Sequence, residues 1–462
     1  MKLWQWIALA ASLLALVAGG LVAAWTMLRE PEPEWTSRSP SALEELEAGI
    51  GAFHRRYWSD AWTHFHRALQ LDEDQFGSLF HLYLMTSSDL EARETQIERL
   101  RALDHDALND RERFLFAFHE AIFENDTEAA GKVLDSFRAA HPTDPYGMQT
   151  QCNSLEIRDE LDRSARCFED LLAKHPNWVE ARNSLGLVEM ARQRFDVAEE
   201  HFEAYRYVAP DQATPYDSLG QLATLRGRYE EAESWLHQAV ELKDDFCNAH
   251  QHLIDLHVMA ARTEQAREAL ERLLDIPSCH WLGEYGYFCE SRAEIAIWAG
   301  DLDAAQQALD DCPAKQPTSF YGHRLALLRG DDAGAQAIEQ QLEAQIASAV
   351  DHPILGKDMM RAVLFHQRGA RALSRGRLEV AAAAFRDADD GLDYKTLYRG
   401  LTKMFNQLHL ARTLDLLGES QGADRLRQDI AQINPDFARS ESVGGLEMLA
   451  RRGADAAQAA PR

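Results

Sequence analysis

Apolar residues recur along most of this 462-residue chain at helical spacing, and the helical pattern itself repeats every 34 residues. Leu134, Phe168, Phe202, Leu236 and Leu270 keep that step, as do Ala198, Ala232 and Ala266. So do Pro142, Pro176 and Pro210, and the pairs Leu185–Gly186, Leu219–Gly220 and Leu253–Ile254. No strand-type alternation of any length interrupts the pattern. It predicts an all-α fold of helical hairpins. One hairpin cannot bury its own apolar face, so the core must form by stacking hairpin on hairpin.

A different pattern opens the chain. Leu3 to Leu28 is an unbroken apolar run without charge, flanked by Lys2 and carrying Trp4, Trp6 and Trp25 near its ends. About 20 apolar residues span a bilayer and interfacial Trp anchors such a helix, so residues 1–30 are expected to be a single-pass membrane anchor. Val22-Ala23-Ala24 leaves cleavage as a secretory signal open. Pro31, Pro33 and Pro40 with Ser37, Ser39 and Ser41 make 31–41 a short stiff linker. Repeats then fill 42–353 and, after His352-Pro353, 354–438. Residues 439–462 form a tail expected to fray. Lys2 before the anchor and Arg29 and Arg38 after it give almost no orientation bias. The short N-terminal tail favours a cytoplasmic N-terminus in the inner membrane of a bacterium, with the repeats in the periplasm.

The 34-residue unit resembles the tetratricopeptide repeat (TPR), a helix–turn–helix with Leu-Gly in helix A, small residues where the helices cross and Pro at the exit. The best units begin at Val179, Ala213 and Cys247, and register slips by five residues around Gly283–Gly286. The resemblance implies an α-solenoid of nine to ten hairpins whose concave groove, lined by helix A, binds other proteins. Positions 2, 5, 9 and 12 of helix A face that groove in the family. Here they include Glu180, Asn183 and Met190, then Asp217 and Gln221, then Asn248, Gln251 and Asp255, then Glu290, Glu294 and, at position 13, Trp298. Amides and carboxylates there suit an extended peptide backbone, and Met190 and Trp298 suit apolar side chains. TPR domains that clamp a C-terminal carboxylate use Lys at position 5, where this chain has Asn183, Asp217, Gln251 and Glu290. The expected partner is a basic or polar extended protein segment. Groove residues are expected to contribute little to packing, so reversing Asp217 and Asp255 to Lys would leave the fold intact.

A second resemblance rests on Asp110-Arg-Glu-Arg-Phe114 and on Tyr321-Gly-His-Arg-Leu-Ala-Leu-Leu-Arg-Gly-Asp331. These look like the sensor-type TPR tails behind bacterial Ser/Thr kinases and winged-helix regulators. The kinase Gly-rich loop, the catalytic His-Arg-Asp and a DNA-binding domain are missing, so neither output carries over.

The net charge of -27 argues against nucleic acid, which needs clustered Lys and Arg. From Ile354 onward 17 basic residues meet 14 acidic ones, so the negative charge lies in the preceding repeats. Six cysteines fall as Cys152/Cys167, Cys247/Cys279 and Cys289/Cys312, each pair within one hairpin. The last two pairs occupy positions that meet at one end of an antiparallel helix pair. They read either as disulfides, in keeping with an oxidising compartment, or as reduced core thiols. No C-x-x-C or H-E-x-x-H spacing occurs, and His64, His66, His250, His252 and His257 read as packing residues, so no metal and no cofactor are expected. Neither a nucleophile elbow nor a P-loop is present, so no enzyme activity is expected. The leading function is a membrane-tethered interaction scaffold in the cell envelope. The alternative is a sensory or regulatory subunit acting on a separate kinase or transcription regulator.

Overall fold

The computed structural model describes residues 34–86, 90–284, 286–312, 320–348, 357–439, 449, 451–452 and 454–455. The expected anchor at 3–28 and most of the tail lie outside them. Among the described residues no helix is long and apolar enough to cross a membrane.

Among the described residues eleven helical pairs follow one another. The first four are α1 (Pro40–His54) with α2 (Trp58–Leu71), α3 (Phe76–Met85) with α4 (Leu90–Arg101), α5 (Asp110–Phe123) with α6 (Thr127–Ala140), and α7 (Pro145–Ile157) with α8 (Leu161–Lys174). The regular units are α9 (Val179–Ala191) with α10 (Phe195–Val208), α11 (Ala213–Leu225) with α12 (Tyr229–Leu242), and α13 (Cys247–Met259) with α14 (Thr263–Leu274). After a 3-10 turn at Pro277–Cys279 and the short α15 (Trp281–Glu284) come α16 (Tyr287–Ala299) with α17 (Leu302–Asp310), and α18 (Phe320–Arg329) with α19 (Asp332–Ser348). The last pairs are α20 (Lys357–Ser374) with α21 (Leu378–Asp390), and α22 (Leu397–Leu417) with α23 (Ser420–Ile433), followed by α24 (Pro435–Arg439). The described residues thus hold eleven hairpins where nine to ten were expected, the degenerate units α3–α4 and α18–α19 among them. The expected register slip is taken up by the 3-10 turn and α15.

Each consensus residue has a visible cause. A Cβ on Gly186 would lie 2.3 Å from Phe202 Cε1, so the Leu-Gly of helix A lets the large residue of helix B reach the helix axis. Ala198 and Ala232, fully buried, allow the same close crossing from the other side. The residue closing helix A turns left-handed at a fixed step: Asn125, Asp159, Gln193, Gly227 and Ala261 all have positive φ. That turn reverses the chain within three or four residues. Side chains bridge successive hairpins in register, as in Arg228 Nη1 to Glu199 Oε1 at 2.9 Å and Arg262 Nη1 to Glu233 Oε2 at 2.8 Å. Such half-exposed pairs set register more than stability.

Both ends of the array fold back on its middle. Within the expected linker, Trp35 is buried, in edge contact with His81 and Tyr146. Thr36 N–H and Oγ1 both donate to the buried Glu112 carboxylate, at 2.8 and 2.7 Å. Glu112 also completes a capping box with Asn109 at the start of α5. At the far end, α22 packs against α11 instead of simply extending the stack. Gly400 sits where a Cβ would lie 2.6 Å from Leu225, and Tyr394 meets Phe195 edge-on. Leu397, Met404, Leu408, Ile430 and Phe437 join Met190, Leu222 and Tyr229 in one buried cluster. The Asn434 amide, fully buried, donates to Tyr229 Oη at 3.4 Å and accepts Phe437 N–H at 2.9 Å.

Candidate functional site

The helix-A face of the middle repeats is enclosed at both edges. At the edge where helices A begin, the turn between α1 and α2 docks. His54 Nε2 lies 3.2 Å from Glu180 Oε2, and Thr214 Oγ1 donates to Arg55 O at 2.6 Å. At the edge where helices A end, α22 docks, with Phe405 against Trp298 at 5.9 Å and under the Arg324 guanidinium at 5.3 Å. Lys395 pairs with Glu156 of α7. The open groove expected from the sequence is therefore a hollow with its own chain on two sides.

The eleven expected groove residues divide by depth. Met190 is fully buried in the cluster beneath α22 and offers no pocket, because position 12 is where the last hairpin docks. Asn183 is buried and its Oδ1 accepts a hydrogen bond from Ser218 Oγ at 2.8 Å, tying α9 to α11. Asp217 is only 2% exposed; His252 Nδ1 lies 2.6 Å from its Oδ1 and Gln221 Nε2 3.3 Å from its Oδ2. Burial alone would pull the His252 pKa down, but the Asp217 carboxylate outweighs it and the pKa is raised. The expectation that reversing Asp217 would spare the fold is corrected here. A Lys at 217 would bury a cation in place of the carboxylate, facing the His252 ring that Asp217 now pairs with.

Glu180, Gln221, Asn248, Gln251, Asp255, Glu290, Glu294 and Trp298 are half-buried. Asp255, Glu290 and Glu294 share the hollow with Tyr287 and Tyr321 and with Tyr398 from α22. Burial pushes the Asp255 carboxyl up to about 6, with Asp217 adding to it. Burial and then the Asp255 charge push Glu294 up to about 8, against the Tyr321 hydroxyl and Arg324, which favour the charged form. Tyr398 is held at about 12 by burial and by Glu294 and Glu290, although 51% of its surface stays accessible. Lys395 is pushed down to about 8 by burial, Arg399 and Arg56. The site is an acidic, tyrosine-lined wall, with cations brought to its rim by the two ends of the array. The sequence reading missed Tyr57, Lys395 and Tyr398, which no repeat position marks.

Among the described residues no group of three or more His, Cys, Asp or Glu side chains converges to hold a metal ion. A cavity of ≈ 20 Å³ beside Gln367, His366 and Arg324 has room for about one water molecule. The cysteines lie bonded as Cys152–Cys167, Cys247–Cys279 and Cys289–Cys312, with Cα separations of 5.3, 5.6 and 5.4 Å.

With stacked 34-residue hairpins, Gly–Phe helix crossings and an inward helix-A face, the chain is a TPR-type helical repeat array. No protein-family model matches it, and no curated protein matches it. Similar solved structures include a tetratricopeptide repeat protein from Parabacteroides merdae, 14% identical, with 60% of this chain and 92% of that chain covered and a TM-score of 0.36. Another is the APC/C hetero-tetramer Cut9–Hcn1, 13% identical, with 89% and 76% covered and a TM-score of 0.41. At these scores neither likeness says anything about a partner.

Proposed function

We propose that this protein is a membrane-tethered scaffold that recruits or assembles protein partners in the bacterial cell envelope. In this reading residues 3–28 are a single-pass inner-membrane anchor, the array lies in the periplasm, and the helix-A hollow takes a basic or polar segment of the partner. The observation that carries it is the gathering of Asp255, Glu290 and Glu294 in one tyrosine-lined hollow. A cationic side chain entering there would draw Glu294, whose carboxyl otherwise holds its proton near neutral pH, into its charged form, and would meet aromatic faces. Three cysteine pairs within bonding distance suit an oxidising compartment. The docked Trp35 adds a geometric condition. From Leu28 to Glu34 the chain can reach about 20 Å at most, so an array anchored this way stays close to the bilayer.

The test is affinity capture from solubilised membranes with the full chain and with Glu290→Lys/Glu294→Lys. Recovery of envelope-assembly or secretion proteins by the wild type, lost in the variant, is expected. Recovery of a signalling kinase or transcription regulator would favour a regulatory subunit, and equal recovery by both chains would move the binding surface off the hollow. Alkaline phosphatase and green fluorescent protein fusions after Arg462 read the topology. A fluorescent, phosphatase-negative fusion would place the array in the cytoplasm.

A further inference from the structure

The turn that closes the first edge of the hollow makes contacts a hairpin turn does not need for itself. Ala213 is the first residue of α11, so its N–H has no acceptor within the helix, and the preceding Gln212 gives no side-chain cap. The acceptor is Tyr57 Oη, 2.9 Å away and 156 residues earlier in the chain. One residue on, the Thr214 hydroxyl donates to Arg55 O. The Tyr57 ring lies edge-on to Phe246, 5.5 Å away, just before α13, with Lys243 Nζ 5.4 Å from its centre. Asp60 pairs with Lys243 at 3.3 Å, and Ser59 Oγ donates to Ser278 O at 2.8 Å. His54 adds its contact to Glu180 and lies against Trp178.

The first hairpin does not depend on these contacts for its own fold. Leu46, Ala61 and Phe65 are fully buried in a cluster continuous with α3 to α6. The turn thus spans from a hairpin anchored elsewhere to the starts of three helices in the middle. It is a basic, aromatic segment (His54, Arg55, Arg56, Tyr57) whose His54 meets the Glu180 carboxylate and whose Tyr57 meets Ala213 N–H at the helix-A edge. That is the chemistry a partner segment would bring.

We propose that the His54–Asp60 turn is an internal ligand of this edge, and that a partner segment with adjacent basic and aromatic side chains binds by displacing it. Opening needs no hairpin to unfold. A small rotation at each of the interfaces between α2 and α9 lifts the turn away, which a repeat stack accommodates. The proposal rests on the hollow being the binding surface. It adds that the free chain is self-occluded and that its affinity is set by competition.

The probe is a synthetic peptide of residues 52–61, titrated against the full chain and against Tyr57→Ala, with circular dichroism confirming that the variant keeps its helix content. At least tenfold tighter peptide binding by Tyr57→Ala is expected, and adding Glu180→Gln should weaken it again. Equal affinity of both chains, or binding indifferent to Glu180→Gln, would overturn the proposal. Tyr57→Phe gives an independent reading, because it deletes only the oxygen that accepts Ala213 N–H. Amide exchange at Ala213 should quicken at least tenfold in that variant, and unchanged exchange would equally overturn the proposal. The probe is the chain's own segment, so failure to capture a cellular partner leaves these outcomes standing. Equal peptide affinity removes the latch and leaves the scaffold.

Discussion

Replacing Glu294 by Gln tests the electrostatics of the hollow directly. In the folded chain its carboxyl is raised from the ordinary 4.5 to about 8, first by burial and then by Asp255. A carboxyl raised on folding holds its proton while the unfolded chain gives it up. Its contribution to stability is therefore fully present below pH 4.5 and is lost as pH rises towards 8. Each pKa unit is worth about 1.4 kcal/mol. Folding forgoes about 3 kcal/mol at pH 7 and about 4 kcal/mol at pH 8 through this residue, against about 1 kcal/mol at pH 5. Gln keeps the shape and has no proton to hold. Urea unfolding of both chains from pH 5 to pH 8 should show nearly equal midpoints at the acid end. The wild type should then fall behind the variant by about 3 kcal/mol across the range. Parallel profiles would mean that Glu294 is ionised in bulk-like solvent, and that the hollow described here does not exist.

Other outcomes follow from single contacts. Gly186→Ala drives a methyl into Phe202 and should cost about 1–3 kcal/mol in thermal or urea unfolding, with a neutral result arguing against the close crossing. Ala261→Gly relieves a left-handed residue (φ 56) and should stabilise by about 1 kcal/mol, measured the same way. The Cys247–Cys279 bond spans 32 residues, so reductant should lower stability by about 3–4 kcal/mol through this bond alone. A chain whose melting ignores reductant would be one without the pairing. Asp217→Asn removes the buried carboxylate that half-buried His252 pairs with and should cost about 1–3 kcal/mol, which charge-neutral surface substitutions would not.

The local unit was open to reading because its causes are local. Leu185-Gly186, Ala198 and Phe202 each do their work within one hairpin, and a 34-residue period in composition becomes a 34-residue period in packing. The helix-A face follows from the same period, which is why Asp255, Glu290 and Glu294 could be assigned to it from their repeat positions alone. The two docked ends were not open to such reading. Tyr57 is an unremarked turn residue until Ala213 stands beside it, and Lys395 lies between repeats, where no consensus applies. Met190 illustrates the cost: its position number says groove, but α22 covers it. The pairings at fault join residues 156 apart, Tyr57 to Ala213, and 205 apart, Tyr229 to Asn434. A periodic pattern carries no information about where a superhelix meets itself.

The same closure bears on how such a chain can change over generations. An open solenoid grows or shrinks by whole repeats, since each new layer needs nothing but its neighbours. Here an inserted hairpin between α2 and α9 would rotate Tyr57 away from Ala213, and one between α12 and α22 would carry Gly400 and Asn434 off Leu225 and Tyr229. Duplication or deletion of hairpins within these spans would therefore break a seam, so the number of layers between joined elements is held fixed.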